Sequence, residues 1–259
     1  MIIGVTITAT NMIKNKEFEK RNKKFIRLMA QDKSLKELTR SWFLTNHKYE
    51  YSYHFSWLGR PIIQYPQDII AIQEIIWKVR PDLIIETGIA HGGSLILSAS
   101  ILELIGHGEV LGIDVDIRKH NRIQIEKHPM FKRITMIEGS SIDKNIIQHV
   151  YRLAKGKKRI LICLDSNHSH DHVLNELKNY SPLVSKGSYL IVFDTIIDDM
   201  PAKWLEKHNI IRPWGKGNNP KTAVHEFLKT SDRFKIDKNI QNKLQITAAP
   251  DGYLKCIKA

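Results

Sequence analysis

Four acidic residues stand at corresponding places in this chain: Glu86, Asp114, Asp165 and Asp194 each close a short apolar run. Carboxylates can accept hydrogen bonds from hydroxyls, neutralise a cationic ligand or ligate a hard divalent ion through oxygen. One acidic run end means little, because Asp and Glu also cap helices and close turns. Four of them mark a ligand site when the first opens a glycine-rich turn, and Glu86 to Ser94 reads ETGIAHGGS. Its Gly88, Gly92 and Gly93 let a ligand approach the backbone, but GxxxGG departs from the phosphate-cradling GxGxxG and from the P-loop with its Lys. A nicotinamide cofactor is therefore disfavoured. A ligand with an adenosine, no phosphate and a positive centre near Glu86 fits better, and S-adenosylmethionine has that description; Asp114 is placed for its ribose hydroxyls.

A second concentration of chemistry is Leu164 to His172, LDSNHSHDH. The plain reading is a polar loop in which Ser169 or Asp171 caps the next helix and the histidines are solvated. The functional reading gives Asp165 and Asp194 a hard cation such as Mg²⁺ and makes His168 the general base, since an ordinary imidazole titrates near the working range. Asp198 and Asp199 follow Asp194 and could assist, although a solvated loop accounts for them equally well.

These residues need a scaffold, and the hydrophobic periodicity supplies one. Leu83 to Ile85 is a fully apolar run suited to a strand covered on both faces, and Leu95 to Ile105 is an apolar segment long enough to be a buried helix. Helical spacing from Pro66 to Val79 places a helix before them. Strands then alternate with helices: Val110 to Ile113, Ile134 to Ile137, Ile160 to Leu164 and Tyr189 to Phe193, separated by helices at 118–127, 146–154 and 172–180. This alternation predicts a largely parallel, doubly wound sheet with its ligand edge at the carboxyl ends of the strands. After a helix at 223–228, Phe234 to Ile240 and Tyr253 to Ile257 read as two strands too close for a crossover helix, hence an antiparallel pair.

The chain has 259 residues, enough for one full core. Residues 1–60 read as a helical, aromatic-rich extension and 61–259 as the ligand-binding domain. Trp42, Phe43, Tyr49, Tyr51, Tyr53, Phe55 and Trp57 crowd one segment of that extension; packing on the core is favoured over a lid, and the segment is a reasonable interface between copies of the chain. Forty Lys and Arg against 27 Asp and Glu give a formal charge of +13, spread along the chain, so solvated lysines explain it better than a nucleic-acid interface would. Cys163 and Cys256 lie far apart in apolar runs and read as buried hydrophobes in a reducing, cytoplasmic setting. The apolar start MIIGVTITAT is too short to span a bilayer, though peripheral membrane contact stays open.

The motifs IIQYPQDI, IIETGIAHGGS, GIDVDIR, HNR, EGSS, DSNHSH and RPWGKGNNPKTAVHEFL, in this order over roughly residues 50–258, resemble the cephalosporin hydroxylase and rhamnosyl O-methyltransferase family. The resemblance implies a Rossmann-like methyltransferase sheet of seven strands, order 3-2-1-4-5-7-6. It also implies an S-adenosylmethionine-dependent, Mg²⁺-assisted O-methyltransferase related to the macrolide-sugar enzymes, acting on a glycan or glycoside hydroxyl. Carried onto this chain, it puts Glu86, Gly88, Gly92, Gly93 and Ser94 around the cofactor, Asp114 at its ribose, and Ser140 and Ser141 near the adenine. Asp165 becomes both a metal ligand, with Asp194, and a wall of the cofactor pocket, with His168 as base. Arg212 and Trp214 could cover the acceptor; stacking on a sugar and structural packing are equal readings for Trp214. One departure concerns the metal. The family commonly ends its fifth strand in Glu-Asp, where this chain has Phe193 and Asp194, which motivates the rival reading of a nonenzymatic S-adenosylmethionine-binding protein with a degraded metal site.

Overall fold

A computed structural model describes residues 9–202 and 212–259; the apolar start at 1–8 and the segment 203–211 lie outside it. The main sheet consists of β1 (Leu83–Thr87), β2 (Glu109–Asp114), β3 (Ile134–Glu138), β4 (Ile160–Leu164), β5 (Tyr189–Val192), β6 (Phe234–Ile236) and β7 (Tyr253–Cys256). Their order across the sheet is β3-β2-β1-β4-β5-β7-β6, the arrangement the resemblance implies. β1 pairs in parallel with both β2 and β4, so Leu83 faces Glu109 on one side and Ile160 on the other. β7 is antiparallel to β5 and to β6.

Helices α1 (Ala9–Gln31) and α2 (Lys33–Asn46) precede the sheet; α3 (Pro66–Val79), α4 (Gly93–Ile105), α5 (Lys119–Glu126), α6 (Lys144–Ala154), α7 (His170–Tyr180), α8 (Pro220–Thr230) and α9 (Lys238–Leu244) flank it. Pro66 at the first turn starts α3, because its missing N–H has no partner to lose there. Asp143 caps α6 through the amides of Asn145 and Ile146. Gly106 ends α4 in the left-handed conformation, its N–H reaching back to Leu102.

The α9 helix is a correction. The run Phe234 to Ile240 is not one strand: β6 stops at Ile236, and Asp237 accepts from the Asn239 amide to begin a helix. The antiparallel pair stands, with a short helix in its connection.

Side-chain alternation along the strands decides what meets at the ligand edge. Ile84, Leu161, Cys163, Ile191 and Phe193 belong to the core under α3 and α4, whereas Leu83, Ile85, Ile162, Leu190 and Val192 belong to the core on the opposite face. Two residues beyond Ile84 and Cys163, Glu86 and Asp165 therefore fall on the α3–α4 side, as Phe193 does just beyond β5. Both cysteines are buried and unpaired.

In the N-terminal part, Trp42 packs edge-on to Tyr51 at 5.1 Å, and Phe43 stacks on Tyr65 at 5.0 Å. Phe43, Tyr65, Met200 and Ala248 form a small core of their own. The aromatic segment thus packs on the sheet domain, and Phe43 and Tyr53 also wall the main cleft.

Candidate active site

The glycine turn is held by Asp114 and by close packing of its glycines. Asp114 accepts through Oδ2 from the Ile89 and Ala90 amides at 2.7 and 3.3 Å, and through Oδ1 from Asp116. The glycines answer to these close approaches as much as to any ligand. Gly88 sits at φ +91°, and a Cβ there would overlap the Asp165 carbonyl; a Cβ on Gly93 would overlap Pro61 and Ile62. Gly88→Ala is accordingly expected to cost about 3 kcal/mol in chemical denaturation, since neither backbone can yield.

Glu86 is 4% exposed and accepts a short hydrogen bond from the Ser94 hydroxyl at the start of α4. Burial pushes its carboxyl up to about 7, against the pull of Ser94. A raised carboxyl stabilises the fold below its unfolded value of 4.5, and that contribution is lost as pH rises through about 7. Glu86→Gln should therefore stabilise the ligand-free chain by up to about 3 kcal/mol at about pH 8 and by almost nothing at about pH 4, read from melts across pH.

On β4 and β5 the geometry becomes chemical. Asp165 lies beside Asp194, and the imidazole Nε2 of His168 is 3.1 Å from Asp194 Oδ2. One ligand atom from each of Asp165, His168 and Asp194 lies within 4.8 Å of the other two. Asp194 reaches this place because its backbone is left-handed, φ 55°, so the chain turns sharply at the end of β5. Burial, then the charges of Asp194 and Glu86, hold the Asp165 carboxyl well above the usual carboxylate range. A cation would relieve that repulsion. The donors suit Mg²⁺: two carboxylates offer hard oxygens, and an open cleft leaves room for the waters this ion retains. The buried acidic edge beside the glycine turn likewise suits a cationic cofactor.

These residues open on a cleft of about 580 Å³ bounded by Gln64, Tyr65, Ala90, Arg118, Arg212 and Trp214 as well as the trio, a size that suits a small organic ligand. Trp214 meets His168 edge-on at 5.1 Å and carries the Arg212 guanidinium 5.4 Å from its ring centre. The ring therefore steadies His168 while lining the cleft. Gly88, Gly92, Gly93 and Ser94 border a smaller cavity of about 50 Å³ that shares Asp165.

Other expected residues lie elsewhere. Asp114, Ser140 and Ser141 border neither of these cavities. The Ser141 hydroxyl donates to the fully buried Glu176 at 2.6 Å and lies 3.1 Å from His172. Asp198 accepts from Gly217 and Asn219, and Asp199 pairs with Lys221, so both brace the loop before α8 rather than join the trio. The three histidines diverge: His168 faces Asp194, His170 bonds Thr222 and Glu226, and His172 joins Ser166 and Glu176. Phe193 is 3% exposed in the core, bordering a cavity of about 10 Å³ with Glu86 and Asp165.

Two cleft residues were not anticipated. Gln64 donates from Nε2 to Asp165 Oδ2 at 3.1 Å. Tyr65 is 6% exposed, and burial with the nearby charges of Asp194 and Asp68 pushes its phenol up. Their one signal was position, immediately before the Pro66 that starts a helix at the sheet's ligand edge.

Comparison with known proteins bears on this arrangement. A family model described as Rhamnosyl O-methyltransferase/CmcI matches residues 49–257. A rhamnosyl O-methyltransferase of Mycobacterium bovis is 33% identical over 192 residues, 72% of each chain. One from Mycobacterium leprae is 26% identical over 223 residues, 85% of this chain and 90% of the relative. An apo structure of CmcI superposes with a TM-score of 0.57 at 22% identity, over 80% of this chain and 78% of that one. A CmcI structure in its Mg-SAM form gives 0.55 at 20% identity over the same shares. The structural likeness carries the fold, and the sequence matches carry the family: this chain belongs to the rhamnosyl O-methyltransferase/CmcI family.

Proposed function

We propose that this chain methylates a sugar hydroxyl of a glycan or glycoside, with Asp165 and Asp194 as seats for Mg²⁺ and His168 as the base. Membership in the family makes it an S-adenosylmethionine-dependent O-methyltransferase. The observation that carries the finer reading is the convergence of Asp165, His168 and Asp194 on one cleft beside the glycine turn. The sugar acceptor follows the relatives, which are rhamnosyl O-methyltransferases.

When bound, S-adenosylmethionine supplies an electrophilic methyl on a sulfonium, and Mg²⁺ supplies charge that acidifies a hydroxyl. The remaining work belongs to the chain. His168 takes the hydroxyl proton at Nδ1, because Nε2 faces Asp194 Oδ2 at 3.1 Å; that contact orients the ring and stabilises the imidazolium. Trp214 limits rotation of that ring. Phe43, Tyr65 and Met200 give the cleft an apolar wall that excludes water from the nucleophile. Glu86, Gly88, Gly92, Gly93 and Ser94 form the cofactor's amino-acid side, with Asp114, Ser140 and Ser141 toward its nucleoside.

The nonenzymatic alternative rests on Phe193 and is not favoured, because the trio assembles without a carboxylate at that position. Residues 61–259 act as the catalytic domain and 1–60 as an extension used in homo-oligomer contact, since Phe18, Phe25, Leu28 and Leu38 expose apolar surface there. We place the enzyme in the cytoplasm; among the described residues no helix is long and apolar enough to cross a membrane. Calorimetry with S-adenosylmethionine, with and without Mg²⁺, tests the reading. Binding that Mg²⁺ strengthens supports it, and absence of cofactor binding in both conditions refutes it.

A further inference from the structure

We infer that Gln64 is a cofactor-binding residue that joins the cofactor seat to the cation seat: its amide NH₂ orients Asp165 while its carbonyl receives an N–H from the ammonium at the cofactor's amino-acid end. This rests on the reading of the site as an S-adenosylmethionine cleft, and it assigns a residue outside the glycine turn and the strand-end carboxylates.

Three observations support it. Gln64 and Asp165 are the two residues that border all three cavities at the ligand edge: the one along the glycine turn, the one beside Glu86 and the main cleft. Gln64 is 6% exposed, so its amide is committed to the interior. Its Nε2 donates to Asp165 Oδ2 at 3.1 Å, and its Oε1 is fully buried with no hydrogen-bond partner among the described residues.

The orientation of the amide follows from chemistry. With a cation on Asp165 its carboxylate accepts and does not donate, so the NH₂ faces Asp165, as it does at 3.1 Å, and the carbonyl faces away from it. Buried carbonyls are nearly always paired, and Gln64 borders the small cavity whose other polar walls are Glu86, Ser94, Ser98 and Asp165. Acceptors outnumber donors around that space. A primary ammonium, with three donors and a positive charge, is the group it matches. The strap that carries Gln64 is firmly placed: Arg60 donates to the His91 carbonyl and to Asn121, and Ile62 N–H to the Phe55 carbonyl. Because one amide serves both seats, occupancy of either changes the other, and the effect is reciprocal.

The test is calorimetry on the whole chain and on Gln64→Leu with two probes, S-adenosylhomocysteine and methylthioadenosine, which lacks the amino-acid end. The inference predicts that Gln64→Leu weakens S-adenosylhomocysteine by about tenfold or more and leaves methylthioadenosine within about twofold of the unsubstituted chain. Equal weakening of both probes would mean a merely structural role and would overturn it, as would no weakening of either. If the unsubstituted chain binds neither probe, the cofactor reading itself fails and the inference falls with it.

Discussion

Asp165→Asn is expected to lower methyl transfer by at least about a hundredfold while making the ligand-free protein more heat-stable. The two effects share a cause. Asp165 is a buried carboxyl facing Asp194 and Glu86, and burial together with those charges holds its proton affinity well above the ordinary range. Folding therefore gathers negative charge that the chain does not itself neutralise, a strain of the kind functional sites retain. Asparagine keeps the shape and can still accept from Gln64 Nε2, but it removes the charge that would attract a cation. For a chain of this length each kcal/mol recovered raises the melting temperature by about 2–4 °C. The gain should grow with pH, because a carboxyl with a raised value destabilises the fold as pH climbs through that value. A loss of activity with an unchanged or lower melting temperature would mean that Asp165 carries no such strain.

His168→Ala should reduce kcat by about a hundredfold to ten-thousandfold and leave cofactor affinity close to that of the unsubstituted chain. His168 lies against Asp194 and Trp214, on the main cleft rather than along the glycine turn, so the change falls on proton removal. Added imidazole separates the two roles open to this residue. Partial recovery of turnover identifies a base, whereas recovery only at raised Mg²⁺ concentration identifies a metal ligand.

The sheet was legible in the sequence because each of its first five strands is a short apolar run bounded by charge or glycine, and because buried parallel strands leave that signature. The late helix at Lys238–Leu244 was not, since Phe234, Ile236 and Ile240 continue an alternating pattern past the true strand end. What the pattern hid was Asp237, a helix cap in the middle of an apparent strand. At the site, the alternation of strands and helices foretold that Asp165 and Asp194, each closing a strand of one parallel sheet, share an edge. It did not foretell that Asp114 would be engaged with backbone amides or that Ser141 would turn toward Glu176. Those pairings join residues 25 and 35 positions apart, and the second depends on the face that α7 presents. Gln64 escaped notice for a related reason: a neutral amide carries no signature until the structure shows an acceptor on one side and nothing on the other.

If Asp165 and Asp194 seat a cation used in methyl transfer to a sugar, the reaction must follow that ion. The most direct measurement is transfer of a labelled methyl group from S-adenosylmethionine to a rhamnosyl glycoside, in chelator and after Mg²⁺ is restored. Transfer with Mg²⁺, its loss in chelator and its return when the ion is added back are the expected results. Full-rate transfer in chelator, or cofactor binding with no transfer to any sugar hydroxyl, would contradict them.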